Sequence, residues 1–258
     1  MLKLKKHKAK IIDCKTLAGM IKEHVKTQMV DDRVYALNIF APNTPDNEAF
    51  IKGIKRDAAE LNIDVCERST SDWQQYIHDD PYIVMYNKSC GHEYDDMYDV
   101  DAYNPHSCWD SCTGEAVAYI LANIDIDWAM NDYGAGKQIA VVGRGDTGCS
   151  IVDTLRHATN ATIILCNSRS NLKRDLKNAD VIVSCVGTAS TITKSMVKKG
   201  AVVIDLGFDI DDGKVVGDVS DAVKEVAGYI TEVPNGIGLV TRAMLMNHVV
   251  DAINVVSE

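Results

Sequence analysis

The stretch from Gln138 to Ser150 constrains the fold of this chain more than any other. It holds a short β-branched run, Ile139–Val142, then Gly143, Gly145 and Gly148, and then an apolar helical pattern. A continuous apolar run of this length is typical of a buried parallel strand. Glycines at this spacing permit a tight turn, the approach of a pyrophosphate and close helix–strand packing. The stretch therefore predicts a strand, a phosphate-binding turn and a helix whose N-terminal N–H groups bind an anion.

Composition excludes several classes of protein. With a net charge of −10, the 258-residue chain lacks the basic stripe of a nucleic-acid binder. Its basic cluster, Lys3–Lys10, is interpreted as a frayed, solvated N-terminus. No segment reaches the ~18 apolar residues of a membrane span. The 8 cysteines are scattered and accompany no secretory signal, which favours reduced thiols and a cytoplasmic location.

Strand and helix patterns alternate along the chain, which predicts parallel sheets covered by helices. In the first part the predicted strands are Val34–Phe40, Ile63–Cys66 and Tyr82–Tyr86, and the predicted helices are Leu17–Val25, Pro45–Leu61, Trp73–Ile77 and Ala116–Leu121. After the central strand, further strands are predicted at Thr162–Cys166, Val181–Val186 and Ala201–Leu206, and a last helix at Val240–Val256.

These patterns predict an α/β protein with two domains. Residues 1–130 and the returning C-terminal helix, residues 239–258, form a small α/β domain. Residues 131–238 form a Rossmann-type, doubly wound parallel sheet. Between the domains' regular elements, residues 88–112 are rich in Asp, Tyr, Cys and His without periodicity. A polar connection of this length is more often functional than structural.

The residues after the second strand of the Rossmann-type domain favour NADP over NAD. NAD-preferring folds carry an Asp or Glu there to bind the ribose 2′-hydroxyl. This chain has Asn167, Ser168 and Arg169 instead, and Arg144 lies within the glycine loop. A guanidinium binds phosphate through charge-assisted hydrogen bonds, so a hydroxyl beside arginine suits a 2′-phosphate.

Several motifs occur together in one order and spacing. The chain resembles the bifunctional methylenetetrahydrofolate dehydrogenase/methenyltetrahydrofolate cyclohydrolase family, densely from residue 138 onward and more thinly before it. The segments that carry the resemblance are Val141–Arg144, Cys166–Arg169, Asn178–Val183, Gly200–Gly207, Gly213–Val219, Ile230–Gly238, Asp99–Asp101, Asn104–Pro105 and Cys112–Thr113.

The resemblance implies a catalytic, folate-binding domain, an NADP domain and a homodimer. It implies oxidation of 5,10-methylenetetrahydrofolate by NADP to the methenyl cation, followed by hydrolysis to 10-formyltetrahydrofolate. Asp101 matches the carboxylate expected to hold the pterin, and Thr241 is expected to face the nicotinamide. The remaining residues assigned to NADP are Gly143, Arg144, Gly145, Asp146, Thr147, Ser168, Arg169 and Gly187.

The proton-transfer group implied by the resemblance has two placements. The family uses a lysine one helical turn after a tyrosine, and such a lysine needs a pKa drawn toward neutrality by burial or by a neighbouring group. With a one-residue deletion before Ile63, Lys55 takes the lysine position and Ile51 that of the tyrosine. Without a gap, Ile54 and Phe50 take them. We prefer Lys55, because a deletion at a helix end preserves a matched run.

Two alternatives remain open from the residues alone. Met85 stands where the family has a glutamine that hydrogen-bonds the lysine, and the tyrosine hydroxyl is missing in either placement. A diverged member that binds nucleotide or folate but has lost one or both reactions is therefore an alternative. The other is a zinc site, although the assignment we favour includes no metal. Its ligands would come from Cys90, His92, His106, Cys108 and Cys112.

Overall fold

The computed structural model describes residues 8–42, 44–69, 71, 75–76, 81–84, 97–102, 107–124, 132–211 and 214–256. The chain divides into two compact units. Unit 1 comprises Met1–Leu17 and Thr113–Val240, and unit 2 comprises Ala18–Cys112 and Thr241–Glu258.

The regular elements of the described residues are numbered in chain order. The strands are β1 (Lys10–Ile11), β2 (Tyr35–Phe40), β3 (Ile63–Arg68), β4 (Tyr82–Val84), β5 (Gln138–Val142), β6 (Thr162–Cys166), β7 (Val181–Ser184), β8 (Val202–Asp205), β9 (Asp209–Asp211), β10 (Lys214–Val216) and β11 (Tyr229–Ile230). The α-helices are α1 (Cys14–Gln28), α2 (Pro45–Glu60), α3 (Cys112–Ile124), α4 (Asp146–Ala158), α5 (Leu172–Asp175) and α6 (Gly238–Val256), and short 3-10 helices cover Lys194–Met196 and Asp221–Glu225.

Unit 1 is built on a parallel sheet with the strand order β1-β11-β8-β7-β5-β6. The chain leaves β5 toward β6 on one side and then continues with β7 on the other side of β5. This reversal makes the carboxyl ends of β5 and β7 a topological switch point, where open α/β sheets bind ligands. The predicted Rossmann-type, doubly wound sheet is confirmed. A separate antiparallel hairpin, β9–β10, follows β8.

The N-terminal part of the chain departs from its predicted position. Lys10 lies in β1, at the edge of the unit 1 sheet, where its N–H donates to the Gly228 carbonyl at 2.8 Å. The side chain of Ala9 is only 6% exposed and belongs to the unit 1 core. The end of the basic cluster is therefore ordered, and β1 belongs to the sheet of the second predicted domain. The sequence pattern missed it because two residues carry no periodicity.

Apolar side chains on one face of this sheet form a continuous core. Strand residues such as Ala140, Ile182 and Val203 are fully buried there. Residues from the connecting segments, including Leu176 and Val223, are buried with them. The near-continuous apolar strands are what a parallel sheet covered on both faces requires.

Unit 2 contains a smaller parallel sheet with the order β3-β2-β4. Its core includes Leu37, Phe40 and Tyr82, and the rings of the last two meet edge to face with centroids 6.1 Å apart. Helix α2 begins where predicted, because Thr44 accepts a hydrogen bond from the Asn47 N–H and a proline occupies the first turn. The predicted α2 ended at Leu61, which instead forms the helix cap.

The C-terminal helix returns to unit 2, as predicted. Near its end, Asn254 accepts hydrogen bonds from Arg33 at 2.8 Å and from the Tyr35 hydroxyl at 2.9 Å. The predicted helix Trp73–Ile77 lies largely outside the described residues, as does the end of the predicted strand Tyr82–Tyr86. Of the helices in the described ranges, none combines the length and the apolar character needed to cross a membrane.

Candidate functional site

The loops after β5 and β7 both lie at the carboxyl ends of the strands of the unit 1 sheet. Val142 is in register with both Cys166 and Ser184, so the three strands end together. The N–H of Gly143 donates to the Cys166 carbonyl at 3.1 Å and closes the turn. Gly143 and Gly187 both have positive φ angles, 125° and 67°. The structure therefore brings the predicted glycine loop and Gly187 to one switch point.

Helix α4 begins inside the glycine loop, and within the described residues the N–H groups of Asp146 and Thr147 have no acceptor. Its N-cap is Gly145, which supplies no side-chain acceptor, and the first helical hydrogen bond runs from the Cys149 N–H to the Gly145 carbonyl at 3.0 Å. The N–H groups of Asp146 and Thr147 precede it. Exposed N–H groups at a helix start, with the helix dipole, form an anion-binding site. The arrangement is suited to a pyrophosphate.

The predicted 2′-phosphate ligands surround the ends of β5 and β6. Arg144, Ser168 and Arg169 are exposed. The Asn167 side chain accepts from the Arg169 N–H at 2.8 Å and shapes this turn. Among the residues that the structure describes, neither arginine forms an ion pair, so both guanidinium groups are available for an anion.

A buried carboxylate holds the loop after β7, and no role was predicted for it from the sequence. Asp218 is fully buried, and its Oδ2 accepts from the Ser184 hydroxyl at 2.8 Å and the Val186 N–H at 2.7 Å. Its Oδ1 accepts from the Thr188 N–H at 2.8 Å. These bonds bracket Gly187 and fix the conformation of the loop at the switch point. A carboxylate that accepts several hydrogen bonds is a strong anchor.

Asp205, at the end of β8, positions Asp218 in turn. Its carboxylate accepts from the N–H groups of Gly207 at 2.8 Å, Asp218 at 3.0 Å and Val219 at 3.0 Å. Burial raises the pKa of Asp205, although these backbone hydrogen bonds oppose the increase. A carboxylate within the otherwise apolar predicted strand Ala201–Leu206 was the signal that could have revealed this residue from the sequence.

In unit 2, Asp101 lies beside the start of α3. Burial raises the pKa of its carboxyl group, while hydrogen bonds from Cys112 and the charge of His248 act in the opposite direction. His248 is 3% exposed, and its Nδ1 lies 2.8 Å from the Val100 carbonyl, to which it must donate. The Trp109 ring packs on the imidazole at a centroid distance of 4.7 Å. Asp101 is thus a carboxylate that interacts with Cys112 and His248, and no role was predicted for His248 from the sequence.

Lys55 does not have the buried environment that its predicted role requires. Its side chain is 48% exposed, and its ammonium pairs with the carboxylate of Glu67. Ile54, which takes the lysine position in the ungapped placement, is completely buried. Lys55 is an amine that is not desolvated, and Ile54 is buried but carries no amine. Assignment of Lys55 as the proton-transfer group remains a prediction, and its surroundings in unit 2 do not favour it.

The remaining predicted residues are placed only in part. Thr241 belongs to unit 2 and is 8% exposed. Met85 and the proposed zinc ligands Cys90, His92 and His106 lie outside the described residues. The thiol of Cys112 lies 3.4 Å from the Val100 carbonyl oxygen. Within the described ranges, no group of three or more His, Cys, Asp or Glu residues is arranged to hold a metal ion.

Comparison with known proteins connects this geometry to a family. Bifunctional protein FolD of Thermosipho africanus is 42% identical over 142 residues, which cover 54% of this chain and 49% of that protein. Bifunctional protein FolD 2 of Myxococcus xanthus is 29% identical over 283 residues, covering 95% of this chain and 96% of its own. The match to the Thermosipho relative thus spans about half of that protein's length.

The fold has a counterpart among solved structures. The Trypanosoma brucei methylenetetrahydrofolate dehydrogenase-cyclohydrolase, solved with NADP and an inhibitor, has a TM-score of 0.84 and 21% identity, covering 97% of this chain and 99% of its own. The family model for the tetrahydrofolate dehydrogenase/cyclohydrolase NAD(P)-binding domain matches residues 111–257, more than half of the chain. With this match over the switch-point loops described above, the chain belongs to the tetrahydrofolate dehydrogenase/cyclohydrolase family.

Proposed function

We propose that this chain catalyses the NADP-dependent oxidation of 5,10-methylenetetrahydrofolate to methenyltetrahydrofolate. The observation that carries the proposal is the family match over residues 111–257, which includes the whole switch point of unit 1. The N–H groups at the start of α4 and the guanidinium groups of Arg144 and Arg169, which form no ion pair with the described residues, fit a phosphorylated dinucleotide. Unit 1 is then the NADP domain, and unit 2 is the catalytic, folate-binding domain.

The residues of unit 1 would hold NADP by its phosphates. The N–H groups of Asp146 and Thr147 would bind the pyrophosphate, and Arg144, Ser168 and Arg169 would bind the 2′-phosphate. When bound, NADP supplies the hydride acceptor. Asp218 would keep the Gly187 loop in one conformation when the dinucleotide binds, because it holds the N–H groups on both sides of that glycine.

The residues of unit 2 would hold the reduced pterin. Asp101 presents a carboxylate, which suits the donor-rich edge of a pterin ring. The hydrogen bonds from Cys112 to Asp101 and the neighbouring His248 keep this carboxylate in place. Thr241 is proposed to face the nicotinamide. These groups orient the substrate, whereas the transfer of hydride needs no protein acid or base.

Hydrolysis of the methenyl product is the less supported step. It requires a proton-transfer group in a dry environment. Lys55 is the predicted group, yet it is half exposed and paired with Glu67. We therefore propose the dehydrogenase as the principal activity and hydrolysis as a step to be assayed separately. A homodimer and a cytoplasmic location are proposed from the family resemblance and the cysteine content, respectively.

Two assays test the function. Purified chain mixed with 5,10-methylenetetrahydrofolate and NADP is expected to form NADPH, measured by its absorbance. Hydrolysis of added methenyltetrahydrofolate is measured separately by loss of the methenyl absorbance. NADP binding in titration calorimetry without either reaction would leave the diverged, inactive family member as the better description.

The preference for NADP depends on the two arginines. Arg144→Ala and Arg169→Ala are each expected to weaken NADP binding by roughly 10- to 100-fold, because each removes a charge-assisted contact to the 2′-phosphate. Binding of NAD, which lacks this phosphate, should be unchanged. Calorimetric titration with both nucleotides measures the difference. Arg174→Ala is the matched control, since that arginine is 76% exposed and pairs with Asp175. Equal loss of NAD and NADP binding would contradict the assignment.

A further inference from the structure

Arg242, near the start of α6, is a nearly buried cation that no predicted role includes. The residue is 9% exposed, and its Nε donates to Oδ2 of Asp57 on α2 at 2.6 Å. Lys22 lies 3.3 Å from the other oxygen of this carboxylate. Burial alone would raise the pKa of Asp57, but the hydrogen bond and charge of Arg242, with those of Lys22, hold it below its ordinary value of 3.8. Asp57 is therefore an ionised partner for one edge of the guanidinium.

The rest of the guanidinium has no protein acceptor in the part of the chain that the structure describes. Only the Nε hydrogen bond is formed, so the N–H groups of Nη1 and Nη2 are free to donate. A guanidinium keeps its charge at any physiological pH and carries donors in a fixed planar fork. Neither Nη atom is among the buried side-chain atoms of the described residues that lack a hydrogen-bond partner, so both keep contact with solvent, where a ligand can accept from them.

The guanidinium lies over the face of α2 that carries Phe50, Gly53 and Asp57. Its Cζ is 6.0 Å from the centroid of the Phe50 ring. A Cβ on Gly53 would lie 2.8 Å from Cζ and from Nε of Arg242, so the absence of a side chain at Gly53 makes room for it. In the ungapped placement, Phe50 and Ile54 replace the tyrosine and lysine. In that placement, which is the alternative to the Lys55 assignment, Arg242 brings a cation from α6 to the helix face on which Ile54 takes the position of the lysine.

We infer that Arg242 is a substrate-binding residue whose Nη groups donate hydrogen bonds to a ring nitrogen or carbonyl oxygen of the reduced folate. Asp57 is its positioning residue. This inference rests on the proposed function, and it adds a specific consequence. Because a guanidinium does not release its proton near neutral pH, Arg242 orients the substrate for loss of hydride but does not serve as the proton-transfer group in hydrolysis.

The test replaces Arg242 in the 258-residue chain and uses tetrahydrofolate as the probe. Arg242→Met is expected to raise the Kd for tetrahydrofolate and the KM for 5,10-methylenetetrahydrofolate by roughly 10- to 100-fold, as expected for a lost charged hydrogen bond. Arg242→Lys should recover part of the loss, and the Kd for NADP should not change. The control is Arg56→Met: Arg56 lies 3.5 Å from the same Asp57 carboxylate, but its side chain is 66% exposed. The Kd for tetrahydrofolate and the KM of Arg56→Met should stay within about twofold of those of the natural sequence.

A second pair of variants separates positioning from simple stabilisation. Asp57→Asn leaves Arg242 in place but removes its charged partner, so KM should rise more than kcat falls. Asp57→Glu should restore much of the affinity. Circular dichroism gives the folded fraction of every variant, and constants are compared only at temperatures where that fraction is unchanged.

The outcomes are distinct. If Arg242→Met lowers the melting temperature but leaves the Kd for tetrahydrofolate and the KM unchanged, Arg242 is only an ion-pair partner and the inference is wrong, while the proposed function stands. If the natural sequence neither binds tetrahydrofolate nor forms NADPH, the proposed function itself fails. A selective rise in the folate constants supports both.

Discussion

Asp218→Ala is expected to destabilise the chain by roughly 2–4 kcal/mol and to weaken NADP binding at the same time. The substitution orphans the buried Ser184 hydroxyl and the N–H groups of Val186 and Thr188, which all donate to this carboxylate. Each unsatisfied buried donor costs about 1–3 kcal/mol, and the total is reduced here because the loop is partly accessible to water. Urea denaturation measures the free energy of unfolding, and calorimetry measures NADP binding.

The matched control is another aspartate of the same segment. Asp221 has a side chain that is 95% exposed and pairs with Lys224, so Asp221→Ala should change stability by less than about 0.5 kcal/mol. Asp218→Asn should be intermediate, since an amide keeps one acceptor oxygen. If Asp218→Ala were as stable as Asp221→Ala and bound NADP normally, the buried carboxylate would not be what holds the Gly187 loop.

Gly148→Ala is expected to reduce NADP affinity by about 100-fold and to lower stability by about 1–3 kcal/mol. A Cβ at this position would collide with the Gly143 carbonyl oxygen and would lie 2.8 Å from the carbonyl carbon. It would also lie 3.2 Å from the Cys185 sulfur. The start of α4 must therefore move away from β5, and its N–H donors lose their alignment with the pyrophosphate. Melting temperatures with and without NADP measure both effects.

Gly145→Ala separates the two effects. A Cβ on Gly145 meets nothing within 4 Å, and its φ of −79° is allowed for any residue. We therefore expect Gly145→Ala to retain the stability of the nucleotide-free chain and to lose NADP affinity only, since its methyl group intrudes where the pyrophosphate approaches. Unchanged stability of Gly148→Ala in the absence of NADP would show that close packing of α4 on the loop is not required.

The strand–glycine–helix unit of unit 1 could be predicted from the sequence because the interactions that form it join residues close together along the chain. The run Ile139–Val142, the glycines and the following helix are consecutive, and each residue's role depends on its neighbours along the chain. The same holds for the turn after β6, where the Asn167 side chain accepts from the Arg169 N–H. The placement of Lys55 was less secure, since one residue of shift in an amphipathic helix exchanges a buried position for an exposed one.

Sequence alone determined the two-block α/β pattern, the strand–glycine–helix unit and the absence of a carboxylate after β6, because these depend on spacing along the chain. Tertiary structure alone decided which distant charges meet. Asp218 reaches a loop about thirty residues earlier in the chain, and Arg242 reaches Asp57 across 185 positions. Lys10 joined a sheet edge more than two hundred residues away. Such pairs produce no periodic pattern in a single sequence, because the partners are far apart along the chain. They meet, and water between them is removed, only when the chain folds.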